Sequence, residues 1–337
     1  MLFDKTSTYP VAINNTWDVI DSSKLQTYMM CPRMFFFNYI LGWQTDFINN
    51  HLTFGTAWHE AMAFLLDNGV TQGNINGAYD EFLKSYRKEL DETTDAIYHP
   101  KSPGMVRIAL EEFVLRFQGK FRHLKTLYTE ISGVVPVNSE GDCIHLRMDA
   151  VLETEEGKIQ GWEHKTGSQL TGNWIDKWHL STQIGTYTFA TQCFFQDREV
   201  SGIVVNGAFF RKKGMEYVQE MVYKTDTQMG VWLQNVNTYL DRIKKDMLLL
   251  SETTIEQPIM KCFSLNTQAC DMYRGCAYRD FCRMWGNPCK QVTYGPPVGM
   301  KEEWWDPRER DTSFTVDVEK GFEKVIKEDK DSDTSCV

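Results

Sequence analysis

Asp149, Glu163 and Lys165 are the residues of this 337-residue chain whose types and spacing best suit chemistry. Glu163 and Lys165 flank His164 in the stretch GWEHKTGS. In an extended strand successive side chains alternate faces, so Glu163 and Lys165 share one face and His164 takes the other. Asp149 lies upstream in HLRMDAVLE, a second strand-like run. Two carboxylates are the hard oxygen ligands that Mg2+ or Mn2+ prefers. A lysine beside them can orient a water or stabilise charge developing on a phosphate. A carboxylate and an ammonium two residues apart can equally be an ion pair on a wet sheet surface, and the spacing alone leaves that choice open.

The elements that must position these groups follow from periodicity and punctuation. Cys143 to Leu152 and Lys158 to Lys165 read as two strands of a hairpin joined by TEEG. Pairing them brings Asp149 to the edge that carries Glu163 and Lys165. A helix is expected from about Ile175 to Phe195, then strands in GIVVNGAFFR and GMEYVQEMVY, then a long amphipathic helix from Thr225 to Leu250. Upstream the chain reads as helical. One helix starts near Ser22 and Ser23 and resumes at Pro32, a second runs through TAWHEAMAFLLDN to Gly69, and two more cover Ile75 to Leu90 and Gly104 to Leu127. This alternation predicts an α/β core with a mixed sheet. Four regions are expected: a mainly helical part over 1–130, the core over 131–257, a cysteine-rich segment over 258–297, and an acidic, partly disordered tail over 298–337.

Composition narrows the classes. The chain is 42% hydrophobic and 24% charged, enough for a sizeable core in an ordinary globular protein. Its net charge of -10 argues against a general nucleic-acid coat, but residues 301–337 hold 12 acidic and 7 basic groups, so the first 300 carry only -5. A locally positive groove is compatible with that balance. The opening MLFDKTSTYP has no signal-peptide pattern, and no run approaches the roughly 18 apolar residues of a membrane span. Nine cysteines without a secretion signal point away from a disulfide framework and toward a reducing, cytoplasmic location. Cys143 and Cys193 read as small core hydrophobes, and Cys336 as a free thiol in the tail. By residue type alone, His59 and Tyr187 on their helices suit packing as well as chemistry, and Gln183 a boundary position. Trp304 and Trp305 read as an anchor for the C-terminal arm.

Several motifs in order carry a family resemblance. SSKLQTYMMCPRMFFFNYILGW holds a Cys31-Pro32 pair, GTAWHEA has Gly55 and His59, the D-x13-E-x-K pattern follows, QIGTY has Gln183 and Tyr187 a helical turn apart, and CDMYRGCAYRDFC closes the set. Together they resemble the PD-(D/E)XK nuclease superfamily, and within it the RecB-like exonucleases that carry an iron–sulfur cluster, such as the AddB nuclease domain and the exonucleases of CRISPR adaptation. The likeness spans Ser22 to about Trp285. It implies a restriction-endonuclease-like fold with a helical N-terminal part and an iron–sulfur-stapled C-terminal segment. It further implies that His59, Asp149, Glu163 and the His164 carbonyl hold Mg2+ or Mn2+, that Lys165 serves the attacking water, and that Gln183 and Tyr187 contact DNA. Cys31, Cys270, Cys276 and Cys282 would hold a structural 4Fe-4S cluster. Two departures stand out: the aspartate strand reads RMDA without a proline, and the cysteines follow C-x5-C-x5-C rather than C-x2-C-x5-C, so Cys262 and Cys289 are alternative ligands.

The resemblance thus implies a metal-dependent DNA exonuclease acting on single strands or DNA ends. It would work in the cytoplasm (a host's, if phage-encoded), with a helicase or a recombination or adaptation protein as a possible partner. The chain has no G-x-x-x-x-G-K-[ST] motif of its own. Two rivals are an inactive nuclease-fold DNA-binding subunit and a zinc-stabilised interaction protein, since zinc can use the same thiolates.

Overall fold

A computed structural model describes residues 2–272, 275–308, 314–317 and 321–324. Asp21, one residue ahead of the expected caps, starts helix α1 (Ser22–Met30) by accepting the Lys24 N–H. Pro32 then opens the short α2 (Pro32–Phe35), which continues as a π-turn over Phe36–Ile40. Strand β1 (Trp43–Thr45) leads to α3 (Asn50–Asn68), capped by the Asn49 side chain and ended at Gly69, whose φ of 102° suits a residue without a Cβ. Helices α4 (Ile75–Tyr86) and α5 (Pro103–Phe121) follow.

Strand β2 (Leu124–Pro136) begins earlier than the break expected near 131. Its pairing with β3 (Cys143–Thr154) runs the full length of both, and that ladder overrides the helical pattern read as far as Leu127. Strand β4 (Ile159–Gly167) completes the expected hairpin. The single helix expected over 175–195 is two, α6 (Gly172–His179) and α7 (Thr182–Phe194), because the Ser181 side chain caps the second by accepting the Ile184 N–H. Strands β5 (Val200–Arg211) and β6 (Gly214–Val222) form the next hairpin, and a Thr225–Gln228 capping box starts α8 (Asp226–Ser251). Helix α9 (Arg279–Met284) lies in the cysteine-rich segment. Strand β7 (Met300–Glu302) pairs with β1, tying the two ends of the chain together.

The main sheet is mixed, in the order β6-β5-β4-β3-β2, with β4 and β5 parallel. Two short strands, β8 (Phe314–Asp317) and β9 (Gly321–Lys324), extend it beyond β2 from within the stretch read as an acidic tail. Residues 309–313, 318–320 and 325–337, Cys336 among them, lie outside the described residues. Helices cover both faces, as burial of a two-sided sheet requires. Leu25, Phe36, Ile184 and Leu240 pack with Met148 and Ile203 on one face; Trp58, Phe82 and Phe113 pack with Leu152 and Trp162 on the other. Trp304 lies against Gly42, and Trp305 donates to Asp21 Oδ2 at 2.8 Å, so both tryptophans anchor the C-terminal arm.

Candidate active site

The site is built where β3 and β4 separate. The two strands pair from Glu153↔Ile159 to Ala150↔Trp162 and no further, while β4 continues along β5 to Gly167. Beyond Trp162 the ladder is replaced by a side chain: Asp149 Oδ2 accepts the backbone N–H of His164 at 2.6 Å. His59, on the α3 turn facing this gap, places Nδ1 3.1 Å from Asp149 Oδ1. Lys165 Nζ pairs with Glu163 Oε1, the same oxygen that accepts Gln183 Nε2 at 3.1 Å. The ion pair is therefore not on a wet surface, because Glu163 is 2% exposed.

Glu130 on β2 is the residue the sequence reading missed. His59, Glu130 and Asp149 each offer a ligand atom, all within 4.8 Å of one another. Arg147 pairs with Glu130 Oε2 at 2.7 Å and leaves Oε1 buried without a hydrogen-bond partner among the described residues. Glu163 Oε2 is in the same condition. Buried carboxylate oxygens are costly unless paired, so Glu130 Oε1 beside His59 and Asp149 fits a divalent cation, and Glu163, outside that 4.8 Å group, flanks it on β4. Glu130 has a φ of 45°, a left-handed backbone that a glutamate rarely adopts. No local motif marks it; only the cross-strand register, with Thr129↔Ala150 and Ile131↔Met148 on either side, brings it beside Asp149.

The electrostatics of the site's own side chains follow from burial and crowding. Burial opposes charge on His59, but the adjacent Asp149 carboxylate outweighs it and raises the imidazole to about 9. Asp149 is held well below the usual carboxylate range despite its burial, chiefly by His59. Burial and then Asp149 push Glu130 and Glu163 up, against the pull of Arg147 and Lys165 respectively. Burial works against the Lys165 ammonium, yet Glu163 and Asp149 hold it above its ordinary value, so it is a proton donor to hydrogen bonds rather than a base. A divalent cation would compete with the protons of this cluster for the same lone pairs.

The other expected residues are placed as follows. The His164 side chain points to the opposite face, with Nδ1 2.9 Å from Asn206 Nδ2, and burial lowers it to about 4. Gln219 Nε2 donates to Asn206 Oδ1, which fixes the Asn206 amide as donor and His164 Nδ1 as acceptor. Gln183 is half-buried and also donates to Tyr187 OH at 2.8 Å; Tyr187 is 3% exposed and donates to the Arg147 carbonyl. Together they tie α7 to β3 and β4.

The described cysteines fall into three sets. Burial raises the Cys282 thiol to about 12, against Arg33, with Cys31, Cys276 and Cys270 adding to the rise. Cys276 is likewise raised by burial and then by Cys31 and Cys270, so these four thiols lie within electrostatic reach of one another. Around them Asn266 N–H approaches Cys31 Sγ at 3.5 Å, Asn266 Nδ2 donates to Met30 O at 2.7 Å, and Arg33 Nε donates to Phe263 O at 2.9 Å. Cys262 and Cys289 are fully buried, against Thr253 and Met260 respectively. Cys193 is half-buried against the core, whereas Cys143, at the start of β3, is half-buried outside both core clusters rather than the core residue expected.

Comparison with curated proteins gives no match. Among solved structures, a candidate exonuclease from Eubacterium rectale is similar over 69% of this chain and 83% of its own, at 11% identity and a TM-score of 0.44. The structure of SSO0001 is similar over 48% of this chain and 69% of its own, at 14% identity and a TM-score of 0.25. The family model of the PD-(D/E)XK nucleases matches residues 22–283. That span contains the mixed five-strand sheet with its flanking helices and all of the acidic cluster, and the chain belongs to the PD-(D/E)XK nuclease superfamily.

Proposed function

We propose that this protein is a divalent-metal-dependent deoxyribonuclease of the RecB-like exonuclease type, acting on single-stranded DNA or DNA ends. The observation that carries this is the group of ligand atoms from His59, Glu130 and Asp149 within 4.8 Å of one another, with the buried Glu163 Oε2 unpartnered on the adjoining strand among the described residues. His59, Glu130, Asp149, Glu163 and the His164 carbonyl would hold Mg2+ or Mn2+. When bound, the metal polarises the scissile phosphate and lowers the pKa of a water. Lys165 donates from Nζ to that water or to a phosphate oxygen, its ammonium kept charged by Glu163 and Asp149. Gln183 fixes the Glu163 carboxylate, and Tyr187, too buried to meet DNA as expected, fixes Gln183 and the Arg147 backbone; Gln183 is the one of the two that would meet the DNA. In the same reading Cys31, Cys270, Cys276 and Cys282 hold a 4Fe-4S cluster that joins α1 to the C-terminal segment and takes no part in the hydrolysis. The mutual proximity of these four thiols and the hydrogen bonds around them support that role.

The test is substitution at the metal site. Asp149→Ala or Glu163→Ala should lower Mn2+- or Mg2+-dependent cleavage by about a hundredfold or more while DNA binding survives. Lys165→Ala should lose cleavage yet still bind Mn2+ in a calorimetric titration. Full activity in any of the three would refute the site.

A further inference from the structure

A cavity of about 510 Å3 opens where the catalytic strand ends, between the N-terminus of α3 and the loop that precedes α5. Ser168, just past β4, lines it, and so does Lys101. Lys101 is 6% exposed. Its Nζ lies 3.4 Å from the hydroxyl of Thr166, the residue after Lys165, and 5.7 Å from the centre of the Phe54 ring. Burial alone lowers this lysine to about 8, and no carboxylate offsets it. His51 and His99 share the lining, and among the described lining residues none is acidic, in a chain of net charge -10. At the mouth Phe47 and Ile97 are each 74% exposed. A desolvated cation next to exposed flat and aliphatic side chains is the arrangement that takes a phosphate and an unstacked base together. A duplex keeps its bases stacked inside and cannot offer them.

We propose that this cavity is a subsite for unpaired nucleotides next to the scissile phosphate, with Lys101 holding a backbone phosphate and Phe47 receiving a base. This rests on the nuclease reading and specifies its substrate as a single strand. The experiment is fluorescence anisotropy with a labelled oligothymidylate of about ten nucleotides, over a range of salt concentrations, using the full-length chain. Lys101→Met should weaken binding by about tenfold or more and reduce the slope of log affinity against log salt by about 0.7. Its thermal midpoint should stay the same or rise, because an uncompensated buried charge has been removed. Phe47→Ala, on the surface and safe for folding, should weaken the same oligonucleotide by about tenfold with an unchanged salt slope, and leave a blunt duplex unaffected.

Wild-type affinity and salt slope in Lys101→Met overturn the subsite, as does a fall in thermal midpoint without loss of affinity, which marks a structural lysine. Should Lys101→Met not fold, undiminished oligonucleotide binding by Phe47→Ala overturns it. Equal losses on duplex and single strand overturn the single-strand assignment. If the unaltered protein cleaves DNA while the variants bind as it does, only the subsite fails; if it neither binds nor cleaves DNA with Mn2+ present, the nuclease reading fails first.

Discussion

At the scale of single residues, the site is a set of charges that would repel one another without a cation. Asp149, Glu130 and Glu163 are buried near one another, and that crowding favours a proton on His59 and raises the Glu130 and Glu163 carboxyl groups. The sign of the consequence follows. The charged His59 contributes stability that is fully present below its ordinary value of about 6.5 and is lost as pH rises through about 9. Metal must displace that proton, so Mn2+ affinity should climb as pH rises toward 9, with proton release on binding. Calorimetry in buffers of different ionisation enthalpy checks this, and His59→Gln should flatten the profile. An affinity independent of pH between 6 and 9 would show that the metal does not displace the His59 proton.

At the scale of elements, α7 is the brace behind Glu163. Gly185 lets it approach α8 so closely that any Cβ there would collide with the Trp232 indole, whose Nε1 donates to Thr182 O at 3.2 Å. Gly185→Ala should therefore cost about 1–3 kcal/mol in denaturant titrations and lower kcat as Gln183 shifts from Glu163. The second joint is α1 against the cysteine-rich segment. Anaerobically purified protein should be brown, with about four irons per chain, and Cys31→Ser should bleach it and lower its thermal midpoint, whereas Cys143→Ser should change neither. A colourless protein carrying zinc would favour the zinc-bound alternative, and colour that persists in Cys31→Ser would move the fourth ligand elsewhere. Elements were legible wherever the signal was local: the 143–165 hairpin, the β5–β6 pair and the long helix from Thr225 are written in consecutive residues. The start of β2 and the break between α6 and α7 were not, because one is set by pairing with a distant strand and the other by a single serine side chain.

At the scale of the whole molecule, a sheet with a helical layer on each face holds open one gap between two strands, and the buried Glu130, Asp149 and Glu163 gather beside it. Asp149, Glu163, Lys165 and His59 could be singled out because each sits in a short motif. Glu130 could not, since its place depends on strand register and a left-handed backbone. Lys101 gave no signal either; what distinguishes it is burial without a counter-charge, which only packing reveals. Among the described residues no helix is long and apolar enough to cross a membrane. The chain's net charge of -10 resides partly in its last 37 residues, so the overall sign says little about the surface beside the active site. The most direct test of this account is the fate of end-labelled DNA. Incubated with Mn2+ or Mg2+, the protein should shorten a single strand progressively from an end, stop when the metal is chelated, and do nothing as Glu163→Ala. Intact DNA under those conditions, or cleavage that survives both chelation and Glu163→Ala, would contradict it.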